Sequence, residues 1–329
     1  MSPNEFSVLP CLLGTLIQLF FDQSEAHMKL RKLRVGAGLL ASFIIAAAAS
    51  SAQAAPAKAA PAKAAPAQTP PAEAAAELSL TRFDCGKTTT IADVSRFSDV
   101  AAFKGLNIQL TFSCYLVKHG NDYLVWDTGN PAATGPTPAP TAPKSSLVEQ
   151  LAQLHLKPEQ INFVGVSHYH GDHIGQVASF PQATLLIGRG DWDALNDAKN
   201  DSKPNPAINP ANFAHWISGG GKVEPVSGDK DVFGDGSVIM LNTPGHTPGH
   251  HSLLVKLKDK GNVLITGDLA HFRENYDSNG VPTFNTNRAD TLASLDRFKQ
   301  LATNLHATVI IQHDERDIDK LPAFPASAK

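Results

Sequence analysis

Histidines and aspartates of the kinds that ligate metals recur along this chain in a dense order. His168, His170, Asp172 and His173 come within Ser-His-Tyr-His-Gly-Asp-His, and His246, Asp268 and His313 follow. Neutral imidazole and carboxylate suit borderline divalent ions such as Zn²⁺, and three or four protein ligands per ion leave room for water. Two divalent ions sharing one carboxylate account for both the number and the kinds of ligand. A water held between such ions loses a proton near neutral pH and becomes a nucleophile, so hydrolysis is the chemistry to expect. A lone loop histidine is ordinarily a hydrogen-bonded turn residue, and His246, Asp268 or His313 taken singly would be read as turn residues. Together they form a ligand set.

Each candidate ligand follows a strand-like run. The first cluster follows Phe163–Val166, His246 follows Val238–Leu241, Asp268 follows Val263–Thr266 and His313 follows Thr308–Ile311. Around His246, Thr-Pro-Gly-His-Thr-Pro-Gly-His-His breaks regular structure at its prolines and glycines. Ligands at the ends of several strands can be held by a rigid sheet although they sit on loops. Period-two or continuous apolar runs at Leu78–Phe83, Ile108–Val117, Tyr123–Trp126, Thr184–Ile187 and Ser252–Leu257 add further strands. Helical spacing appears at Ser145–Leu154, Asp191–Lys199 and Asp290–Leu305. Mixed strands and helices without a second apolar block predict one α/β domain over residues 78–329.

The His-x-His-x-Asp-His pattern of His168, His170, Asp172 and His173 resembles the signature of the metallo-β-lactamase superfamily. The resemblance runs from about Leu78 to the C-terminus and implies a four-layer αβ/βα sandwich with the metals at one edge of two facing sheets. It also implies that His168, His170 and His246 hold one ion, that Asp172, His173 and His313 hold the other, and that Asp268 bridges them. Within the superfamily, Thr243–Val255, Thr266–Phe272 and Ile311–Asp314 resemble the N-acyl-homoserine lactonases. Metallo-β-lactamases proper place Cys or Ser near the bridging position, so Asp268 speaks against a true β-lactamase. Lactonases of that group carry a tyrosine three residues after the bridging aspartate, where this chain has His271. The implied reaction is attack of a metal-bridging hydroxide on a lactone or ester carbonyl, with His271 as candidate donor to the oxyanion and Asp172 returning a proton to the leaving alkoxide. Hydrolysis of a thioester, phosphoester or β-lactam is the competing reading. A metal-stabilised binding protein without catalysis is a third.

Composition bounds the partners. The chain has 329 residues, a net charge of -3 and hydrophobic content of 42%. No cluster of Lys and Arg points to nucleic acid, which leaves a small molecule as the expected partner; the oligomeric state is not readable. From Met28, the basic Lys29, Arg31, Lys32 and Arg34 precede the apolar Val35–Ala49 and a small-residue Ala52-Gln53-Ala54 site, the form of a secretory signal over 28–54. That apolar stretch is shorter than the roughly 20 residues a membrane span needs, so no stable insertion is expected after cleavage. Residues 1–27 then read as an untranslated or disordered extension, and periplasmic or secreted localisation follows. The Ala/Pro/Lys-rich stretch over 55–77 cannot bury a core and reads as a spacer.

Past the signal, Cys85 and Cys114 remain, and an exported compartment permits a disulfide between them, although both could equally be buried thiols. Asp127, in Asp-Thr-Gly at a strand end, reads either as a turn former or as a carboxylate orienting a ligand histidine. His250 reads as a structural hydrogen-bonder or as support for the metal ligands. Three irregular stretches could wall a pocket: 130–144, 201–221 with Phe213 and Trp216, and Phe272–Phe284.

Overall fold

The computed structural model describes residues 76–133, 139–199 and 205–329; the expected secretion signal and nearly all of the 55–77 spacer lie outside the described residues. The chain runs β1 (Leu78–Lys87), β2 (Ala92–Asp93), β3 (Asn107–Ile108), β4 (Thr111–His119), β5 (Asp122–Trp126), α1 (Leu147–Gln153), β6 (Phe163–Gly165), α2 (Gly171–Ile174), β7 (Thr184–Gly188), α3 (Arg189–Ala198) and α4 (Ala214–Ile217). It continues through β8 (Val223–Val226), β9 (Lys230–Asp231), β10 (Val238–Asn242), β11 (His251–Leu257), β12 (Gly261–Ile265), α5 (Arg273–Ser278), α6 (Arg288–Asn304) and β13 (Thr308–Ile310).

Two sheets result. The first has six strands in the order β1-β4-β5-β6-β7-β8, and the second five in the order β13-β12-β11-β10-β9. Alternation along the strands divides the core. In β4, Tyr115 and Val117 point between the sheets, where they meet Leu80, Leu124 and Trp126 from the first sheet and Val238, Met240, Leu253, Val255, Val263 and Ile265 from the second. Cys114 and Leu116 point the other way, into a layer with Leu147 and Leu151 of α1, Leu195 of α3 and Trp216 of α4. On the far side of the second sheet, Leu241, Leu254 and Leu264 pack on Leu295 and Phe298 of α6. Helices, sheet, sheet and helix make the expected αβ/βα sandwich. Strands buried on both faces read as continuous apolar runs, which is why β4 shows little polar alternation.

Caps set the helix starts. Ser146 Oγ accepts the Glu149 N–H while Glu149 Oε2 accepts the Ser146 N–H, a reciprocal box that begins α1. Asn287 Oδ1 accepts from the amides of Ala289 and Asp290 to begin α6. Cys85 and Cys114 form a disulfide across β1 and β4, which decides the alternative left open by their positions in the sequence. Among the described residues no helix is long and apolar enough to cross a membrane.

Candidate metal centre

The chain leaves the ends of β5, β6, β10, β12 and β13 at one edge of the sandwich, and the loops that follow carry every sequence-derived ligand. His168 and His170 lie between β6 and α2, Asp172 and His173 in α2, and His246 in the turn joining β10 to β11. Asp268 follows β12 and His313 follows β13. The structure brings all of them together.

They form two sets. In the first, His168 Nε2 lies 2.9 Å from His170 Nδ1, and His246 Nε2 lies 3.1 and 2.9 Å from the same two nitrogens. In the second, His173 Nε2 and His313 Nε2 are 3.2 Å apart and Asp172 Oδ2 is 3.6 Å from each. Asp268 forks between the sets. Its Oδ2 faces His246 Nε2 at 3.2 Å and His168 Nε2 at 3.6 Å, while Oδ1 faces His313 Nε2 at 2.8 Å and His173 Nε2 at 3.0 Å.

Neighbouring groups fix which nitrogens point inward. His173 Nδ1 donates to Asp127 Oδ2 (2.9 Å), His313 Nδ1 to the Thr111 carbonyl (2.8 Å) and His246 Nδ1 to Asn285 Oδ1 (2.9 Å). With Nδ1 committed to these acceptors, the Nε2 atoms converge on one another and on Asp268 at about hydrogen-bond distance. Lone pairs so placed repel unless a cation stands among them, so the donor set fits divalent metal ions. His168 Nδ1 lies 3.0 Å from Ser167 Oγ.

The electrostatics agree with that demand. Burial pushes His168 well below the usual imidazole range, and it pushes His170 down to about 3. Burial also opposes charge on His173, but the carboxylates of Asp268, Asp172 and Asp127 outweigh it and raise that imidazole. For Asp268, burial favours the neutral acid, and the surrounding histidines, His173 and His313 foremost, hold it well below the usual carboxylate range. A buried carboxylate kept ionised between imidazoles is suited to bridge cations.

A cavity of about 350 Å³ opens onto His170, Asp172, His246, Asp268, His271 and His313. Its walls are Phe97, Leu110, Phe112, Ala207 and Phe284, with Arg96 at the mouth. Phe284 and Ala207 come from two of the stretches expected to wall a pocket. Phe213 and Trp216 instead fill the core beneath α4. The 130–144 stretch contributes Pro140, Ala142, Pro143 and Lys144 to a different cavity, beside Arg82 and Thr111. His271 Nε2 lies 3.1 Å from Asp268 Oδ2, while its Nδ1 is buried without a partner.

Residues 113–313 match the family model described as the metallo-beta-lactamase superfamily. The chain belongs to the metallo-beta-lactamase superfamily. Among curated members, N-acyl homoserine lactonase AttM of Rhizobium radiobacter is 27% identical over 252 residues, covering 68% of this chain and 90% of that protein. An N-acyl homoserine lactonase of a Bacillus species is also 27% identical, over 231 residues, covering 66% of this chain and 87% of that protein. Solved superfamily structures share the fold. A quorum-quenching N-acyl homoserine lactone hydrolase superposes with a TM-score of 0.63 at 24% identity, over 77% of this chain and 98% of that one. AidC, a dizinc quorum-quenching lactonase, does so with a TM-score of 0.53 at 19% identity, over 77% of this chain and 90% of that one.

The superfamily site has supports here that sequence reading placed loosely or missed. Asp127 is fully buried at φ 56°, a conformation uncommon outside glycine. Its Oδ1 accepts from the Ser167 amide (2.6 Å) and its Oδ2 from Gln312 Nε2 (2.7 Å) as well as from His173, so it orients the His173 ring. His250 Nε2 accepts the Asp268 N–H (2.9 Å), and its Nδ1 donates to the Thr243 carbonyl (3.0 Å), so it fixes the backbone of Asp268. Asn285 and Asp191 were not foreseen. Buried Asp191, from α3, accepts from the amides of Tyr169 (3.2 Å) and Gly249 (2.6 Å) and from Thr247 Oγ1 (2.9 Å), tying the His168–His170 loop to the His246 turn. Gly188 and Gly249 let these segments touch: a Cβ on Gly188 would lie 1.8 Å from the Gly249 carbonyl oxygen.

Proposed function

We propose that this chain is an exported, dinuclear metal-dependent hydrolase that opens N-acyl homoserine lactones. The observation that carries the reading is the Asp268 fork between two imidazole sets at the floor of an apolar-walled cavity. It is supported by the curated relatives, which are N-acyl homoserine lactonases. His168, His170 and His246 would hold one ion, Asp172, His173 and His313 the other, and Asp268 both; Zn²⁺ suits the donors. Ions bound there supply an acidified water and polarise a carbonyl oxygen.

The chain's own residues supply the rest. Phe97, Leu110, Phe112 and Phe284 bury an acyl arm and exclude bulk water. Asp172 is the ligand carboxylate with substantial exposure to the cavity, its side chain 30% accessible. It is placed to take a proton and return it to the departing alkoxide. His271 keeps its proton on Nε2, where Asp268 accepts, and that N–H faces the cavity floor. That N–H steadies Asp268, and turned from Asp268 to the oxyanion it would offer the donor that tyrosine offers in the lactonases that the chain resembles. Export is supported by the signal-like N-terminus and by the Cys85–Cys114 disulfide, a bond that persists in oxidising compartments.

The test is turnover of N-acyl homoserine lactones by the Zn²⁺-loaded protein beside a cephalosporin and a thioester. Ring opening that disappears in His271→Ala with metal content intact would support both the substrate class and the donor. Cleavage of the thioester or cephalosporin without lactone opening would discard the lactonase reading.

A further inference from the structure

Arg96 is the cavity-lining side chain that hydrolysis leaves without a task. Its Cζ lies 4.5 Å above the centroid of Phe284, whose ring is in turn 5.9 Å from the rings of His246 and His271. The cation therefore stands one aromatic ring away from the ligand cluster. Among the described residues no carboxylate pairs with it; the carboxylates that share its cavity, Asp172 and Asp268, belong to the ligand sets.

The position is built. Arg96 lies in a 3₁₀ turn, Ser95–Phe97, whose backbone is pinned to the opposite wall. The Arg96 carbonyl accepts from the amide and hydroxyl of Thr283 (2.9 and 3.1 Å), and the Phe97 carbonyl accepts from Asn275 Nδ2 (3.2 Å). Stacking on Phe284 occupies a face of the guanidinium and leaves its in-plane N–H donors available. The remaining walls are apolar. A sleeve with ligand imidazoles at its floor and, at its mouth, a stacked guanidinium without a carboxylate partner among the described residues suits a molecule with a reacting ester at one end, a short apolar arm and an anion at the other.

We propose that Arg96 recognises a carboxylate at the far end of the acyl arm, so that the preferred substrates of this site are lactones whose acyl chain ends in an acid. The proposal rests on the hydrolytic reading above and narrows its substrate class. A planar guanidinium can meet a carboxylate through two parallel N–H···O bonds, whereas a methyl terminus in the same place gains nothing from the charge.

The experiment compares N-adipoyl- with N-hexanoyl-homoserine lactone, arms of equal length that differ in the terminal acid, on the metal-loaded wild type, Arg96→Met and Arg96→Lys. In parallel, calorimetry measures binding of the two ring-opened acids, which needs no turnover. The wild type is expected to favour the adipoyl arm in KM and in binding by about tenfold, or about 1.4 kcal/mol. Arg96→Met should abolish that preference, and Arg96→Lys should restore part of it. An adipoyl-to-hexanoyl ratio unmoved by Arg96→Met in both assays overturns the proposal. Loss of turnover on both lactones with the binding preference intact would sink the lactonase reading and leave Arg96 as an anion reader.

Discussion

Replacing Asp127 by Asn should weaken one metal set and spare the other. Oδ2 of Asp127 accepts from His173 Nδ1 (2.9 Å) and Gln312 Nε2 (2.7 Å), and Oδ1 accepts from the Ser167 amide (2.6 Å). Asparagine keeps the shape but puts an NH₂ where an acceptor is needed. If its oxygen faces Ser167, His173 Nδ1 meets a donor, and the imidazole responds by moving its proton to Nε2, the nitrogen that must ligate. Loss of such a supporting carboxylate costs about 10- to 100-fold in metal affinity, or about 1.4 to 2.7 kcal/mol. His246 takes its orientation from Asn285 instead, so the His168/His170/His246 set should keep its affinity. Chelator-competition titration with Zn²⁺ resolves the two affinities, and Asn285→Ala should produce the opposite asymmetry. Equal weakening of both sites in Asp127→Asn, or none in either, would refute the division of ligands into two independently supported sets.

Other expectations follow from the supports. Burial lifts the Asp191 carboxyl to about 7, above its unfolded value, so between about pH 4 and 7 the native state holds a proton that the unfolded chain has released. Stability therefore falls as pH rises through that window, by at most about 4 kcal/mol, and urea unfolding at pH 4.5 and 7.5 should show a smaller fall in Asp191→Asn. Gly188→Ala, whose Cβ would collide with the Gly249 carbonyl, should cost about 3 kcal/mol or more in the same assay and release zinc more readily; a neutral result would mean that the two loops are not held in contact. Reducing the Cys85–Cys114 disulfide, which spans a sequence separation of 29, should lower stability by about 3 to 4 kcal/mol, read as a shift in the urea midpoint with dithiothreitol.

The ligands were legible because they are dense and because each follows a strand, and all of them fall at the expected edge. The sandwich was legible for a related reason: β4 and β11 are buried on both faces and read as long apolar runs. β8 was not, since Val-Glu-Pro-Val is short, half-exposed and interrupted by Pro225, which is tolerated at the sheet edge it occupies. α2 was hidden inside the ligand turn, being only Gly171–Ile174. Asp191 and Asn285 left no local trace, because their partners come from afar: Asp191 meets Thr247 across 56 positions and Asn285 meets His246 across 39. His250 was visible but ambiguous, since its role depends on an amide 18 positions away.

The central claim is that two ions, joined through Asp268, are needed for lactone opening. Stepwise addition of Zn²⁺ to the metal-free protein, with ring opening of N-hexanoyl-homoserine lactone followed at each step, tests it most directly. The account predicts little activity through the first equivalent, a rise to a plateau with the second, and loss of the plateau in Asp268→Ala. Full activity at one equivalent, or full activity in Asp268→Ala, would contradict it.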